Sequence, residues 1–254
     1  MTQSHTPSAG KVWLVGAGPG DPELLTLKAA RLIAEAEAIV YDHLVGEGIR
    51  ALFPVGAEQR YVGKKAAKHT LKQEEINALL VDLARQGKKV VRLKGGDPFI
   101  FGRGGEELEI LHAAGIAFEV VPGVTAAAGC AAYAGFPLTH RDHAQSVTFV
   151  TGHLKDYSVN LDWPALARPG QTVVFYMGIG GAAEICRQMI AHGLPATTPA
   201  AIIRKGTLPE QQTLLATLAT LPARIVDGQI KPPALIVVGS VVGLHDKLSW
   251  FENR

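Results

Sequence analysis

The sequence predicts an α/β protein with two α/β domains, the first built on a parallel sheet and the second on a mixed sheet. In the first half, five apolar runs typical of strands alternate with segments of helical periodicity, which indicates a helix-covered parallel sheet. In the second half, strands again lead into glycine-containing loops, but their polar residues are spaced differently, which favours a partly antiparallel sheet. The turn at Pro122-Gly123 suggests the boundary, so residues 11–124 and 125–254 are the predicted domains.

The composition supports a large folded core and excludes some partners. Hydrophobic residues make up 47% of the 254 residues and charged residues 19%. The formal net charge of +2 is too small for a general nucleic-acid or membrane binder, so neither partner is expected. No apolar run approaches the ~18 residues that span a bilayer.

The two cysteines and the N-terminal residues bear on where in the cell the protein is expected. Cys130 and Cys186 lack metal or redox spacing and are expected to be small core residues, which fits a reducing cytoplasm. Residues 1–10 are polar and contain no apolar segment of a signal peptide, so they are expected to form a disordered tail.

The elements of the first domain follow from hydrophobic periodicity. Runs of apolar and β-branched residues predict strands, and apolar residues three and four apart predict helices between them. The predicted strands are residues 11–15, 38–41, 59–62, 89–93 and 117–121, and the predicted helices are residues 24–33, 74–86 and 106–114.

The loop after the first strand resembles a dinucleotide fingerprint without matching it. Glycines follow the strand, and Asp42 stands about twenty residues further on, at the end of the second strand. The third glycine comes one position early, however, and Pro19 removes an amide that a pyrophosphate would need. The loop suits a ligand that is uncharged or cationic at that point. A nicotinamide-dependent oxidoreductase stays open as the alternative that motif geometry alone suggests.

A second glycine-rich loop follows the fourth strand and is the centre of the predicted site. Five glycines and one proline occupy residues 95–105, together with Asp97, Arg103 and two phenylalanines. Such loops at strand carboxyl ends form ligand sites in open α/β sheets. Asp42 also lies at a predicted strand carboxyl end, and Lys64 is expected to function only if its basic loop folds over the same crevice.

The second domain is predicted to begin with a helix of small residues at 124–134, where the Thr125 hydroxyl can cap the helix or bind a ligand. A turn at 135–143 then presents His140, Arg141 and His143, and it is expected to face an anion and not a metal, since no further Cys/His cluster supports one. The predicted strands are residues 146–151, 171–177, 200–203 and 234–239.

Eight motifs in order along the chain resemble those of the tetrapyrrole methylase family, and within it those of the uroporphyrinogen-III C-methyltransferases. The resemblance runs from about Val12 to Val242. The motifs are Val15-Gly-Ala-Gly-Pro-Gly-Asp-Pro22, Tyr41-Asp-His-Leu-Val45, Arg92-Leu-Lys-Gly-Gly-Asp-Pro-Phe-Ile-Phe-Gly-Arg-Gly-Gly-Glu-Glu107, Val121-Pro-Gly-Val-Thr125, Pro137-Leu-Thr-His-Arg141, Thr151-Gly-His153, Tyr176-Met-Gly178 and Ala201-Ile-Ile-Arg-Lys-Gly-Thr207.

The resemblance implies an activity and an assembly. It implies S-adenosyl-L-methionine bound in a cleft between the two domains, S-adenosyl-L-homocysteine as the co-product, and a homodimer. It also implies methylation of uroporphyrinogen III at C2 and C7, giving precorrin-2 by way of precorrin-1, on the route to sirohaem, cobalamin or haem d1. Two neighbouring readings stay open: methylation of a different precorrin, and a non-catalytic tetrapyrrole or nucleotide sensor.

The resemblance also implies roles for individual positions. Asp42 and Lys64 match a proton acceptor and a proton donor, while Arg103, Glu106 and Arg141 match substrate-handling positions. Arg103 also matches a suggested base, and His43 stands where some relatives have an arginine that contacts a substrate carboxylate. The implied cofactor residues are Pro19, Gly95, Gly96, Asp97, Ile100, Thr125, Ala126, Met177 and Gly206.

Chemistry favours one assignment of the base. A sulfonium methyl group is already electrophilic, so no metal is expected, and a loop of carbonyls with Asp97 suits its positive charge. The eight carboxylates of uroporphyrinogen suit Arg103 and Arg141, whose planar forks bind carboxylates bidentately. A carboxylate such as Asp42 is an easier base than an arginine, so Asp42 is predicted to accept the proton and Arg103 to bind.

Overall fold

The computed structural model describes residues 10–63, 71–152 and 161–251. Of the predicted tail only Gly10 is among them, so the prediction of disorder at residues 1–9 lies outside the described residues. The chain divides into two compact units, Met1–Thr125 and Ala126–Arg254.

The first unit is built on a five-stranded parallel sheet with strand order β3-β2-β4-β1-β5. The strands are β1 Lys11–Gly16, β2 Ala38–Tyr41, β3 Glu58–Tyr61, β4 Lys89–Lys94 and β5 Ala117–Val121. The register pairs Tyr41 with Leu93, Leu93 with Val15, and Val15 with Val121. The carboxyl ends of four neighbouring strands therefore meet at one edge of the sheet.

Helices cover both faces of this sheet. They are α1 Leu27–Ala34, α2 Glu47–Arg50, α3 Gln73–Arg85 and α4 Gly104–Ala113. Ile39 packs in one core with residues of α1 and α2, whereas its neighbour Val40 packs in a second core with residues of α3 and α4. Neighbouring strand residues face opposite sides, so both faces need apolar residues and the strands become almost continuously apolar.

The helix predicted at residues 24–33 begins later than the sequence suggested. Asp21 caps a separate short 3₁₀ turn at Pro22–Leu24, and α1 begins after Thr26, whose hydroxyl accepts the amide of Ala29. Two local caps in succession therefore divide what looked like one helix.

The second unit contains a mixed five-stranded sheet with order β6-β7-β10-β8-β9. Strand β6 pairs parallel with β7, while β10 is antiparallel to both β7 and β8, and β8 is antiparallel to β9. The strands are β6 Ser146–Thr151, β7 Gln171–Tyr176, β8 Pro199–Arg204, β9 Gln212–Thr217 and β10 Ala234–Val238. The helices are α5 Ala126–Tyr133, α6 Trp163–Leu166, α7 Ala182–Ala191, α8 Leu221–Asp227 and α9 His245–Leu248.

The predicted fold class, a parallel sheet followed by a mixed sheet, is confirmed. Strand β9, which pairs with β8 along its whole length, is not among the strands predicted from the sequence. Cys130 and Cys186 are free and buried, and burial raises the pKa of their thiols to about 12 and about 11. In the described part of the chain, no helix is both long and apolar enough to cross a bilayer.

Candidate active site

The parallel sheet collects most of the predicted site residues of the first unit at one edge. Asp42 follows β2, the loop with Gly95 and Gly96 follows β4, Pro19 follows β1, and Thr125 comes four residues after β5. Because these strands are neighbours in the order β2-β4-β1-β5, their carboxyl ends place the four segments side by side. This edge is where open α/β sheets bind ligands.

The connections after β1 and β4 leave in opposite directions along the sheet. Strand β1 leads to β2 on one side, and β4 leads to β5 on the other, although β1 and β4 are themselves neighbours. Such a reversal between adjacent strands is the topological switch point at which α/β proteins place their ligand crevice. Pro19 and Gly95 flank this point.

Glycines allow the loops at this edge to touch. A Cβ atom on Gly123 would lie 2.3 Å from the carbonyl oxygen of Gly96, and one on Gly16 would lie 2.5 Å from the amide nitrogen of Gly123. Gly18 and Gly96 also exchange backbone hydrogen bonds of 3.2 and 2.7 Å, and both have positive φ. The loops after β1, β4 and β5 are therefore joined by their backbones, which no other residue type would permit.

Asp97 connects two of these loops through its carboxylate. Oδ2 accepts the amide of Gly123 at 3.0 Å, and Oδ1 accepts the amide of Phe99 at 2.9 Å. The predicted cofactor residue thus has a structural task as well, because it fixes its own loop and ties it to the loop after β5. Each carboxylate oxygen keeps further acceptor capacity for a ligand.

Arg103 and Glu106 form a fork-shaped ion pair in the first turn of α4. Nε of Arg103 donates to Oε1 of Glu106 at 2.8 Å, and Nη2 donates to Oε2 at 2.5 Å, with both side chains about half exposed. The hydrogen bond that Arg103 donates to Glu106 raises the pKa of Arg103 above its already high value. This electrostatic environment opposes a role for Arg103 as a base.

Asp42 stands beside a buried cluster of charges that the sequence analysis did not identify. Oδ1 of Asp42 accepts the amide of Leu44 at 3.0 Å, and Oδ2 lies 3.5 Å from Nη2 of Arg92. Arg92 and Lys94 are buried on β4, and both contact Glu107, whose side chain is 0% exposed. The available signal was the spacing of Arg92 and Lys94, which puts two cations on one face of a strand otherwise predicted to be buried.

In the second unit, three predicted cofactor residues lie around the start of α5. Ala126 opens this helix, and the amide of Ala127 donates to the hydroxyl of Tyr176, the residue before Met177. Gly206 packs against the same helix, because a Cβ atom there would lie 2.2 Å from Sγ of Cys130. The structure thus brings Ala126, Met177 and Gly206 together at the carboxyl ends of β7 and β8.

Arg141 lies at the opposite edge of the second sheet. It belongs to a tight turn closed by His140 and Ala144, and the next residue, Gln145, donates its amide to Gly170 just before β7. The six residues of β7 separate this turn from Met177, a span of about 20 Å. Within the second unit, therefore, the structure does not bring Arg141 together with the predicted cofactor residues.

Backbone strain is concentrated at the predicted positions. Phe101 and Arg103 in the loop after β4 have φ of 53° and 57°, Met177 after β7 has 54°, and Lys205 and Thr207 after β8 have 49° and 68°. Non-glycine residues rarely adopt this left-handed conformation, and strained residues cluster at functional sites. Five of the six non-glycine residues with positive φ among the described residues therefore lie in motif loops, and the sixth, Gln229, lies after α8.

The remaining predicted residues are His43, Ile100 and Lys64. His43 is exposed beside Asp42, and Ile100 is half-buried in the loop after β4. Lys64 lies outside the described residues. Among the described residues, no group of three or more His, Cys, Asp or Glu side chains is arranged to hold a metal.

Two cavities in the described part of the chain are lined mainly by other residues. One, of about 410 Å³, is in the second unit and is lined by residues such as Leu166, Met189 and Pro199. The other, of about 590 Å³, is in the first unit and is lined by residues such as Tyr61, Leu71 and Glu75. Among the described residues, none of the predicted cofactor or catalytic residues lines either cavity.

Comparison with known families gives the class of protein to which these two sheets and their loops belong. Residues 11–222 match the family of tetrapyrrole (corrin/porphyrin) methylases. The chain therefore belongs to this family and is a methyltransferase.

Individual relatives narrow the comparison. Over 244 residues the chain is 62% identical to a sirohaem synthase of Nitrosomonas europaea, which covers 96% of this chain but 51% of that protein. The chain thus spans about half the length of the curated relatives it matches. A solved uroporphyrin-III C-methyltransferase of Thermus thermophilus, in complex with S-adenyl homocysteine, is 41% identical with a TM-score of 0.78 and covers 92% of this chain and 93% of its own. A solved cobalt precorrin-4 methyltransferase is 30% identical with a TM-score of 0.82 and covers 91% of this chain and 95% of its own.

Proposed function

We propose that the chain transfers methyl groups from S-adenosyl-L-methionine to C2 and C7 of uroporphyrinogen III, giving precorrin-2 by way of precorrin-1. The observation that supports this most is the joining of the three loops after β1, β4 and β5 around Gly96, at the switch point of the parallel sheet. The 41% identity to a solved uroporphyrin-III C-methyltransferase supports the same substrate.

The residues present fit a sulfonium cofactor better than a phosphate-bearing one. The proposed cofactor set contains one acid, Asp97, and no basic side chain. Glycines at 95 and 96 permit a ligand to approach the backbone closely, while Pro19 offers no amide to an anion. The other proposed contacts are Ile100, Thr125, Ala126, Met177 and Gly206.

The cofactor supplies an electrophilic methyl group, so the protein's own residues have to align, bind and accept a proton. Alignment of the two reactants can contribute roughly 7–11 kcal/mol in favourable cases. Arg103, assisted by Glu106, Arg141 and His43, is proposed to bind acceptor carboxylates. The acceptor carbon forms its bond to the methyl group as the sulfur–methyl bond breaks, and the macrocycle then loses a proton, which Asp42 is proposed to take. Lys64 is the proposed proton donor.

A direct assay tests the proposal. Purified protein is incubated anaerobically with S-adenosyl-L-methionine and uroporphyrinogen III, and the products are separated by mass. The proposal expects a doubly methylated product that accumulates after a singly methylated one. Absence of any methylated product, with tight binding of NADH in place of S-adenosyl-L-homocysteine, would favour an oxidoreductase instead.

Methylation of another precorrin is the second candidate, and the 30% identity to a cobalt precorrin-4 methyltransferase is the observation in its favour. The same assay with a later cobalt-precorrin as acceptor separates the two. A higher kcat/KM on that acceptor would overturn the choice of uroporphyrinogen III. Retained binding without turnover on every acceptor would indicate a sensor.

The proposed assembly and compartment rest on the resemblance and on the cysteines. A homodimer is proposed because the resemblance implies one, and a reducing cytoplasm fits two free, buried thiols. Sedimentation equilibrium of the purified chain tests the dimer, which requires a mass of twice 26.9 kDa.

A further inference from the structure

The charge cluster beside Asp42 is built around one carboxylate. Oε1 of Glu107 accepts from Nζ of Lys94 at 2.7 Å, from Nε2 of Gln73 at 3.2 Å and from Nε of Arg92 at 3.3 Å. The Glu107 side chain is fully buried, and its Oε2 atom has no hydrogen-bond partner among the described residues. Burial of a carboxylate with one unsatisfied oxygen is costly.

Arg92 is held from several sides. Its Nη1 donates to the carbonyl oxygen of Leu93 at 2.9 Å, and its Nε points to Glu107 at 3.3 Å. Its Nη2 reaches Oδ2 of Asp42 only at 3.5 Å, well beyond the ~2.8 Å of a tight charge-assisted bond. The guanidinium is therefore next to Asp42 without forming a close ion pair with it.

We infer that Glu107 is a positioning residue that restrains Arg92 and thereby leaves Asp42 available as the proton acceptor. The inference rests on the proposed function, in which Asp42 takes the proton. A guanidinium that closed on Asp42 would stabilise the charged carboxylate and make it a weaker base. Glu107 opposes this by competing for the same cation from the other side.

The charges of the cluster support this arrangement. Two cations, Arg92 and Lys94, face two carboxylates, Glu107 and Asp42, so the fully ionised cluster is neutral. Burial, followed by repulsion from Arg92, lowers the pKa of Lys94. Gln73 from α3 is the neutral member that completes the shell around Oε1. Removal of the Glu107 charge leaves Asp42 as the nearest anion for Arg92.

The variant Glu107→Gln tests the inference. It removes the charge while keeping an acceptor oxygen, so Arg92 is expected to shift toward Asp42. We expect kcat to fall about tenfold or more, since a well-placed general base contributes about 10²–10⁴-fold, with little change in KM. We also expect the acid limb of the kcat–pH profile to move to lower pH, because the tighter ion pair keeps Asp42 ionised. The matched control is Glu109→Gln, the same charge change at an exposed position of α4.

A second variant distinguishes the proposed electrostatic effect from a loss of stability. Glu107→Gln with Lys94→Met removes one charge of each sign and should regain the thermal stability that the single variant loses. Because the charge of residue 107 no longer competes with Asp42 for Arg92, the displaced acid limb should persist. An acid limb at the wild-type pH in this double variant would overturn the inference.

Asp42→Asn separates this inference from the proposed function. If Asp42→Asn keeps wild-type kcat, Asp42 is not the base, and the inference fails together with that assignment. If Asp42→Asn is inactive while Glu107→Gln behaves like Glu109→Gln, the base assignment stands and the inference alone is wrong. Loss of kcat and of S-adenosyl-L-homocysteine affinity in equal proportion, with no shift of the acid limb, would show a structural role only.

Discussion

Arg103 is held in an unusual state in both its backbone and its side chain. Its φ of 57° places it in the left-handed region at the start of α4, and its guanidinium is paired with Glu106 by two hydrogen bonds. An exposed pair of this kind contributes little to stability. Stability therefore does not explain the strained backbone of Arg103, and we propose that this residue binds a carboxylate of the acceptor.

Replacement of Arg103 by alanine should weaken acceptor binding much more than cofactor binding. Loss of a charge-assisted, two-pronged contact predicts a rise in KM for uroporphyrinogen III of about ten- to a hundredfold. Calorimetric titration with S-adenosyl-L-homocysteine should give a nearly unchanged Kd. Arg187→Ala is the matched control, because Arg187 forms the same kind of fork with Glu184 on α7. Equal loss of both affinities in Arg103→Ala would remove the assigned role.

Residue roles were only partly predictable from the sequence. The motifs singled out Asp42, Arg103 and Glu106 as candidates, but not the cluster around Glu107. Neighbouring helix residues point about 100° apart, and the sequence alone does not tell whether Glu106 or Glu107 faces the sheet. The pairing of Arg92 and Lys94 with Glu107 depends on how α4 packs on β4, which is a tertiary property.

At the scale of elements, hydrophobic periodicity predicts the strands and the longer helices, and clusters of glycine predict the loops. Strand β9 was missed because none of its residues is fully buried and its sequence contains no strong apolar alternation. The loop contacts were not predictable either, since Gly16, Gly96 and Gly123 are far apart in the sequence. Glycine content indicated loops, but only the strand order shows which loops touch.

Replacement of Gly123 by alanine should weaken cofactor binding although Gly123 is not itself a proposed cofactor contact. Its Cβ atom would lie 2.3 Å from the carbonyl oxygen of Gly96, so the loops after β4 and β5 must separate and the Asp97 hydrogen bond to residue 123 must lengthen. We expect a lower melting temperature and weaker S-adenosyl-L-homocysteine binding by calorimetry. Gly105→Ala, in open space on α4, should raise stability by roughly 0.5–1 kcal/mol. Unchanged cofactor affinity in Gly123→Ala would contradict this account of the loops.

Glu119 joins three elements of the first unit and predicts an acid-dependent contribution to stability. It accepts from Lys11 on β1 at 2.6 Å and also pairs with Lys28 on α1, and these contacts, Lys11 first, lower the pKa of Glu119 from 4.5 to about 2. A lowered pKa means that the stabilisation is complete above pH 4.5 and is lost as the pH falls toward 2.

The test compares Glu119→Gln with wild type by thermal unfolding across this pH range. The difference in Tm should be constant above about pH 5 and should shrink toward zero near pH 2. Glu109→Gln, which removes a carboxylate from an exposed helix position, should show no such trend. A difference that persists at pH 2 would mean that the ion pairs are not its source.

At the scale of the whole molecule, the proposed cofactor residues are divided between the two units. Six of the nine come from loops of the first unit, namely Pro19, Gly95, Gly96, Asp97, Ile100 and Thr125. Ala126, Met177 and Gly206 come from the second unit. Family membership follows from the match over residues 11–222, whereas the choice of acceptor rests on the motifs and on the more similar relatives.

The position and number of the transferred methyl groups test the central claim most directly. S-adenosyl-L-methionine with a ¹³C-labelled methyl group is turned over with uroporphyrinogen III, and the product is examined by ¹³C NMR together with the amount of S-adenosyl-L-homocysteine released. The proposal predicts two enriched methyl signals, assigned to C2 and C7, and two equivalents of S-adenosyl-L-homocysteine per macrocycle. Label at any other carbon, or no transfer to uroporphyrinogen III at all, would contradict it.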